Sequence, residues 1–315
     1  MQTTKQATLI YNADSGGAGS ASAKDLQDAL RDAGFQPVYK ATSCEEDLDE
    51  ALKDAAGLVV VAGGDGTVRA VATRLINKNL PLALLPMGTA NNVARTLGIE
   101  GKPKALIQGL PFAEKRPFDV GHVRSPWGED YFLEALGCGL FADLLYDYDP
   151  EEGKSVLRAV DTVREVLVGY EPKAWRVTLD EEELSGEFVA LEVLNTQATG
   201  PRLQLAPDAD PSDELFDVVC VREPESSGLL EYLGGLLSAS FDSLENVDII
   251  RGKFLEIAWN GSPIHIDAEL RPRKDSYAQP TRGARPPSQS ETEGLIEVKV
   301  LPNALTFLLP QLSDT

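Results

Sequence analysis

Cations, histidine and cysteine are what this 315-residue sequence is short of: 29 lysines and arginines face 50 acids, with two histidines and three cysteines. The formal charge of −21 repels polyphosphate backbones, so no nucleic-acid partner is expected, and it gives no general attraction to anionic membranes. With only His122 and His265 available, histidine-rich metal sites and histidine-based hydrolase triads are disfavoured. Cys44, Cys138 and Cys220 are far apart and odd in number, which suits reduced thiols in a cytoplasmic protein and not a disulfide framework. No run approaches about 18 apolar residues, so a spanning helix is not expected. Residues 1–10 lack a charged start with an apolar run and small-residue cleavage site, so neither is a secretory signal. The phosphate-binding pattern G-x-x-x-x-G-K-[ST] is absent, and no G-x-G-x-x-G follows the first strand, which removes support for dinucleotide redox chemistry.

What is present reads as two domains. A doubly wound, mostly parallel α/β domain is predicted over 1–117, and a β-rich antiparallel domain, a sheet or sandwich, over 118–301; residues 302–315 return to the first. The first stretch alternates: strand TLIYN (8–12), a helix over 21–33 followed by Gly34, strand PVYKA (37–41), a helix from Glu45 to Ala55, and the β-branched run GLVVVAG (57–63) of a strand buried on both faces. Strand LALLP (82–86) and a short helix VARTLG follow. After Pro117, strand candidates crowd together, among them EDYFLEALG, KAWRVTLD, GEFVALEVLN, LFDVVCV and PIHID, with helices near 154–168 and 228–241. Residues 272–292 are rich in Pro, Arg, Ser and Gln and read as a mobile surface insertion.

Two glycine loops carry the chemistry of the first half. Gly63-Gly64-Asp65-Gly66-Thr67 lies between a buried strand and a helix, where glycine backbone can approach a ligand and helix-start amides suit a phosphate. Thr67 is placed to cap that helix. Asp65 is out of character beside phosphate unless it holds Mg2+, orients donors or accepts a proton. Pro86-Met87-Gly88-Thr89-Ala90-Asn91-Asn92 repeats the arrangement one unit later, and Gly88, Thr89 and Asn91 read as a polar cradle for nucleotide, with Asn91 or Asn92 as an alternative helix cap. Asn12 through Gly17, including Ser15 and Gly16, opens on the same sheet edge. Arg69 and Arg95 are the nearby cations for a bound triphosphate.

In the second half, Asp267 and Glu269 sit two apart. In a strand that spacing puts both carboxylates on one face, able to share a metal or a proton. Asp210-Pro-Ser-Asp213-Glu-Leu215 is a compact acidic turn that offers two carboxylates and a backbone carbonyl to a cation, or is simply an acidic turn. Arg271, Arg273, Lys274, Arg282 and Arg285 form a local basic cluster, read as a solvated loop or as a contact for lipid headgroups.

GGDGT followed by PMGTANNVARTLGI resembles the catalytic domain of diacylglycerol-kinase-type lipid kinases, bacterial diacylglycerol kinases and sphingosine kinases included. The likeness continues through FDVG (118–121), YFLEALGCGLFADL (131–144), LAPDADPSDELFDVV (205–219), IHIDAEL (264–270) and LPNALTFLLP (301–310), so it covers nearly the whole chain. It implies an ATP-dependent lipid kinase with Mg2+ and with ATP in a cleft between two domains. In that reading Gly63 to Thr67 lie on the phosphates, and Gly88, Thr89, Asn91 and Arg95 help to bind nucleotide. Asp65, Asp267 and Glu269 then lie at the reaction centre, with Glu269 as base and Asp267 as metal or orienting ligand. A structural metal is implied at Asp210, Asp213 and the Leu215 carbonyl. The acceptor would be diacylglycerol or a related lipid at the membrane surface, touched peripherally through GLLEYLGGLL (228–237), and a homodimer is an open expectation. The chain departs from the family pattern at Ala268, where the family has Asp-Gly-Glu, at Glu214, where it has Asp-Gly, at Asn92 for Asp and at Ala13 for Pro. An NAD or sugar kinase sharing GGDGT, and a catalytically silent nucleotide- or lipid-binding regulator, are the competing readings.

Overall fold

The computed structural model describes residues 5–12, 21–42, 46–147, 170–222, 246–273 and 294–311. The chain divides into two compact units, Met1–Asp119 with Pro302–Thr315, and Val120–Leu301.

The first unit contains β1 (Lys5–Tyr11), α1 (Ala23–Asp32), β2 (Phe35–Ala41), α2 (Asp47–Lys53), β3 (Leu58–Gly63), α3 (Asp65–Leu75), β4 (Leu82–Pro86), α4 (Asn92–Thr96) and α5 (Pro103–Gly109). β2, β1, β3 and β4 lie side by side in that order, all parallel. Every residue of β3 is buried, as its uninterrupted aliphatic run requires. α1 packs with α5 and α2 with α3, which keeps helices on both faces of the sheet. The helix expected over 21–33 is α1. Ser22 accepts from the Asp25 amide while Asp25 accepts from the Ser22 amide, a reciprocal cap that fixes where the helix starts. Gly34, at φ 86°, ends it in the left-handed conformation. Because that glycine turns the chain at once, β2 begins at Phe35, two residues before the predicted strand.

The second unit is antiparallel. Its strands are the end of β5 (Glu114–Ser125), β6 (Gly128–Phe132), β7 (Ala135–Gly139), β8 (Lys173–Leu179), β9 (Glu182–Glu183), β10 (Gly186–Phe188), β11 (Ala190–Leu194), β12 (Ala198–Thr199), β13 (Leu203–Gln204), β14 (Phe216–Val221), β15 (Val247–Gly252), β16 (Phe254–Trp259), β17 (Ile264–Ile266), β18 (Glu269–Arg271) and the first part of β19 (Gly294–Leu309); helix α6 (Leu140–Asp147) follows β7. One sheet runs β15-β14-β11-β7-β17-β18. A second contains β10, β8, β16 and β19 in that order. Phe132, Leu136, Leu191, Phe216 and Val218 meet Trp175, Val177, Leu255, Ile257 and Val298 in a shared buried core, which makes the unit a sandwich.

Two expected strands are each broken into two. GEFVALEVLN becomes β10 and β11, which belong to different sheets; the switch occurs at Val189, whose amide donates to Val221 O and whose carbonyl accepts from Leu140 N. EDYFLEALG becomes β6 and β7, with Leu133 and Glu134 between them. The helices expected near 154–168 and 228–241, the segment 228–237 and nearly all of the 272–292 insertion fall outside the described residues.

Candidate active site

The two glycine loops of the first unit meet. β3 and β4 end level, Gly63 opposite Pro86, and Met87 N donates to Gly63 O at 2.9 Å. A Cβ built on Gly88 would lie 2.6 Å from Gly64 Cα, so the backbones touch in a way that only glycine permits. A Cβ on Gly66, by contrast, meets nothing within 4 Å, so this first-turn residue of α3 faces open space. Asn12 leaves β1 on the same edge and donates from Nδ2 to Thr67 Oγ1 at 3.1 Å. The sheet order puts β1 and β3 where the winding reverses, the place at which parallel α/β sheets bind ligands beyond their strand ends.

Several local roles differ from expectation. Thr67 does not cap α3, because the helix already begins at Asp65 with Gly64 as its N-cap residue. Thr67 instead covers Gly63, where an added Cβ would lie 2.7 Å from Thr67 Cβ. Asn91 occupies the N-cap position of α4 at φ 54°, but its side chain folds back on Gly88, accepting from Gly88 N at 2.9 Å and donating to Gly88 O at 2.8 Å. The α4 amide at Val93 is served by Asp65 Oδ1 at 3.4 Å. Asp65 thus stands between the start of its own helix and the start of the next, with two sets of helix-end amides favouring its charge. Asn92 is buried and Thr89 is exposed. Arg95 is exposed and pairs with Glu100 at 3.5 Å. Ser15 and Gly16 lie outside the described residues.

Asp267 and Glu269 do not share a strand. β17 and β18 form a hairpin in which Ile266 faces Glu269, and the two residues between them, Asp267 (φ 47°) and Ala268 (φ 64°), are both left-handed. The same-face argument therefore fails at Asp267. Its carboxylate turns to the gap between β6 and β7, where Oδ2 accepts from Leu133 N at 2.8 Å and Oδ1 from Glu134 N at 2.8 Å and Ala135 N at 3.0 Å. Consecutive strand amides alternate in direction, so the β6–β7 break is what lets three in a row serve one carboxylate. Glu269, the first residue of β18, is half-exposed and accepts from Arg271. Arg271 itself is buried in β18 and makes a two-pronged pair with Asp130 of β6, so it does not belong with the surface basic cluster.

A row across three strands was not anticipated. Glu192, Gly137 and His265 sit in register on β11, β7 and β17. Gly137 leaves the gap through which Glu192 reaches His265 Nε2 at 2.8 Å; a Cβ there would lie 2.1 Å from Glu192 Oε1. Burial pushes the His265 imidazole down, but Glu192 and then Asp267 outweigh it and hold the group above its ordinary range. Glu192 shares a buried face of β11 with Ala190 and Leu194, opposite the face of Leu191 and Val193, and no signal in the sequence marked it.

The Asp210–Leu215 turn is closed by hydrogen bonds of its own carboxylates. Asp210 Oδ1 accepts from Ser212 N at 3.0 Å and Ser212 Oγ at 2.6 Å, and Asp213 Oδ1 accepts from Leu215 N at 3.0 Å. Asp213 Oδ2 is paired with Arg251 Nη2. Glu214, at φ 64°, has Lys253 Nζ 3.4 Å from Oε2. A divalent cation bound by Asp213 would stand against the Arg251 guanidinium, so the donor set in this arrangement does not fit one. No cluster of three or more His, Cys, Asp or Glu side chains suited to a metal occurs among the described residues. Mg2+ carried on nucleotide phosphates is a different case. It asks for one or two carboxylates from the protein, and Asp65 fits that demand.

Residues 6–123 match the diacylglycerol kinase catalytic domain model, and residues 154–308 match the YegS C-terminal NAD kinase beta sandwich-like domain. A diacylglycerol kinase of Bacillus subtilis (strain 168) is 32% identical over 236 residues, 70% of this chain and 74% of that protein. A diacylglycerol kinase of Mycobacterium tuberculosis (strain H37Rv) is 25% identical over 71% of this chain and 74% of its own length. A Stenotrophomonas maltophilia (strain K279a) chain named "Probable lipid kinase YegS-like" is 30% identical over 86% and 91% of the two chains. In fold, the crystal structure of a diacylglycerol kinase from Bacillus anthracis str. Sterne superposes with a TM-score of 0.68 at 16% identity, covering 99% of this chain and 98% of that one.

Proposed function

Because the chain belongs to the diacylglycerol-kinase catalytic-domain family of lipid kinases, we propose that it transfers the γ-phosphoryl group of ATP to a hydroxyl of diacylglycerol or a related lipid. The observation that carries the reading is the contact of Gly64 with Gly88 beside the open start of α3. Two glycine loops packed backbone to backbone, with helix-start amides beside them, suit a phosphate chain in a sequence with no P-loop lysine.

Mg2+ on the nucleotide supplies charge neutralisation of the transferring phosphoryl group. The chain's own residues do the rest. Gly66 leaves the first turn of α3 open to the phosphates, Gly63 and Gly64 let Thr67 and Gly88 pack close beside it, and the Asn12–Thr67 bond fixes that turn. Asp65, placed by the Val93 amide, supplies the carboxylate for the metal. Gly88 and Asn91 shape the second loop. Glu269 takes the proton of the attacking hydroxyl, and Asp267 holds the hairpin turn that carries it. The acceptor lies in a membrane, so the enzyme works at its surface. Among the described residues no helix is long and apolar enough to cross one.

The test is an acceptor screen. Purified protein is given labelled ATP and Mg2+ with a total lipid extract, with NAD and with sugars, and products are identified by mass spectrometry. Label should enter a lipid of the phosphatidate type, and Asp65→Ala should lower that transfer at least about 10³-fold with the circular dichroism spectrum unchanged. Transfer to NAD or a sugar alone, or ATP binding with no transfer to any acceptor, would refute the reading.

A further inference from the structure

Arg271 satisfies a buried charge with one carboxylate and then engages a second. The residue is 6% exposed. Nε donates to Asp130 Oδ2 at 2.9 Å and Nη2 to Asp130 Oδ1 at 2.8 Å, the fork-on-fork geometry that best compensates a buried guanidinium. Nη1 donates to Leu270 O at 3.0 Å. That pair is already neutral, yet Nη2 also reaches Glu269 Oε2 at 3.1 Å. Burial alone does not call for this third partner, since the Glu269 side chain is 48% exposed and has water at hand.

Residues 269 and 271 are two apart in β18, so their side chains share a face, and the spacing that failed for 267 and 269 holds here. Asp130 is anchored in β6, whose next segment is held by Asp267 through Leu133 N and Glu134 N. Both ends of the β17–β18 hairpin are therefore tied to the β6–β7 stretch: Asp267 at the turn, Arg271 at the exit.

We propose that Arg271, locked by Asp130, is a positioning residue that fixes the Glu269 carboxylate for the phosphoryl-acceptor hydroxyl. A glutamate side chain is long and rotamer-rich, and a tether on Oε2 removes that freedom before the substrate arrives. The inference rests on Glu269 being the base in the proposed function, and the experiment separates the two.

Phosphorylation of diacylglycerol in mixed micelles is measured for Glu269→Gln, Arg271→Met, Arg271→Lys and Asp130→Asn, with kcat normalised to folded protein and both KM values determined. Glu269→Gln should lose about 10²-fold or more in kcat. Arg271→Met should lose roughly 10- to 100-fold in kcat, with the KM for ATP and for lipid each within about threefold. Arg271→Lys should recover part of that loss, and Asp130→Asn, which loosens Arg271 without removing it, should fall between. If Arg271→Met does not fold, Asp130→Asn and Arg271→Lys carry the test alone. Normal kcat per folded molecule in the Arg271 and Asp130 variants, with Glu269→Gln inactive, overturns this inference and leaves the kinase reading standing. Normal kcat in Glu269→Gln removes the base, and the inference goes with it.

Discussion

Asp65 opens a helix and Asp267 a hairpin turn, and their carboxylates meet the backbone differently: Asp65 is reached by the Val93 amide of α4 at 3.4 Å, while Asp267 accepts three consecutive amides at 2.8 to 3.0 Å. The loop around Asp65 is built from glycines that leave space, and the turn at Asp267 is built around the carboxylate itself. The Asp65 carboxylate bridges the starts of two helices. A carboxylate that organises three amides has most of its acceptor capacity committed to the fold. Identical side chains in equally conspicuous motifs thus take different work, and only their donors tell them apart.

The sharpest break of this comparison is a pair of isosteric changes. Asp267→Asn should lower stability by about 2–4 kcal/mol, because an amide has one acceptor oxygen for three N–H groups and its NH2 opposes one of them. Asp65→Asn should stay within about 1 kcal/mol of wild type while activity is lost. Urea unfolding of both decides it, and equal losses would erase the distinction. Ala268→Gly should raise stability by about 0.5–1 kcal/mol, since φ 64° burdens alanine and not glycine, partly offset by the freer unfolded chain. A destabilised variant would mean the turn relaxes in solution. Metal removal tests the second Asp-containing turn. EDTA should leave the melting temperature of the nucleotide-free protein within about 1 °C of its value in Ca2+ or Mg2+ at matched ionic strength, because Arg251 already pairs with Asp213 Oδ2. A cation-dependent rise that Asp213→Asn abolishes would show that Arg251 yields to a metal. The smallest effect belongs to α1. Ser22, chiefly, and then Lys104 hold the Asp25 carboxyl down to about 2. A depressed acid stabilises above its unfolded value near 3.8 and loses that contribution as pH falls towards 2. Asp25→Asn should therefore melt slightly lower than wild type at pH 7, and the gap should close between pH 4 and pH 2.

The parallel half was legible because its signals are local: one aliphatic run for β3, a helical stretch closed by Gly34 for α1, glycines between strand and helix. Chain breaks in the antiparallel half were not. Val189 switches sheets because its N–H and C=O find partners at Val221 and Leu140, which no window around 189 contains. The hairpin at Asp267-Ala268 carries no glycine to announce positive φ, so it read as a strand. Arg271 was grouped with the insertion by composition, while its true partner, Asp130, is 141 positions away. The acids were findable from residue type and family likeness. Their donors were set by long-range pairing.

β5 and β19 each run across a unit boundary, at Asp119/Val120 and at Leu301/Pro302, and Phe307 of β19 pairs with Leu82 of β4. The first unit is therefore not a contiguous stretch of sequence. A polypeptide stopped at residue 119 would leave β4 without its neighbour and expose an unpaired edge, an invitation to aggregate. Any chimaera that exchanges the sandwich between relatives needs two splice points inside continuous strands, where a register error of one residue would turn each following side chain to the wrong face.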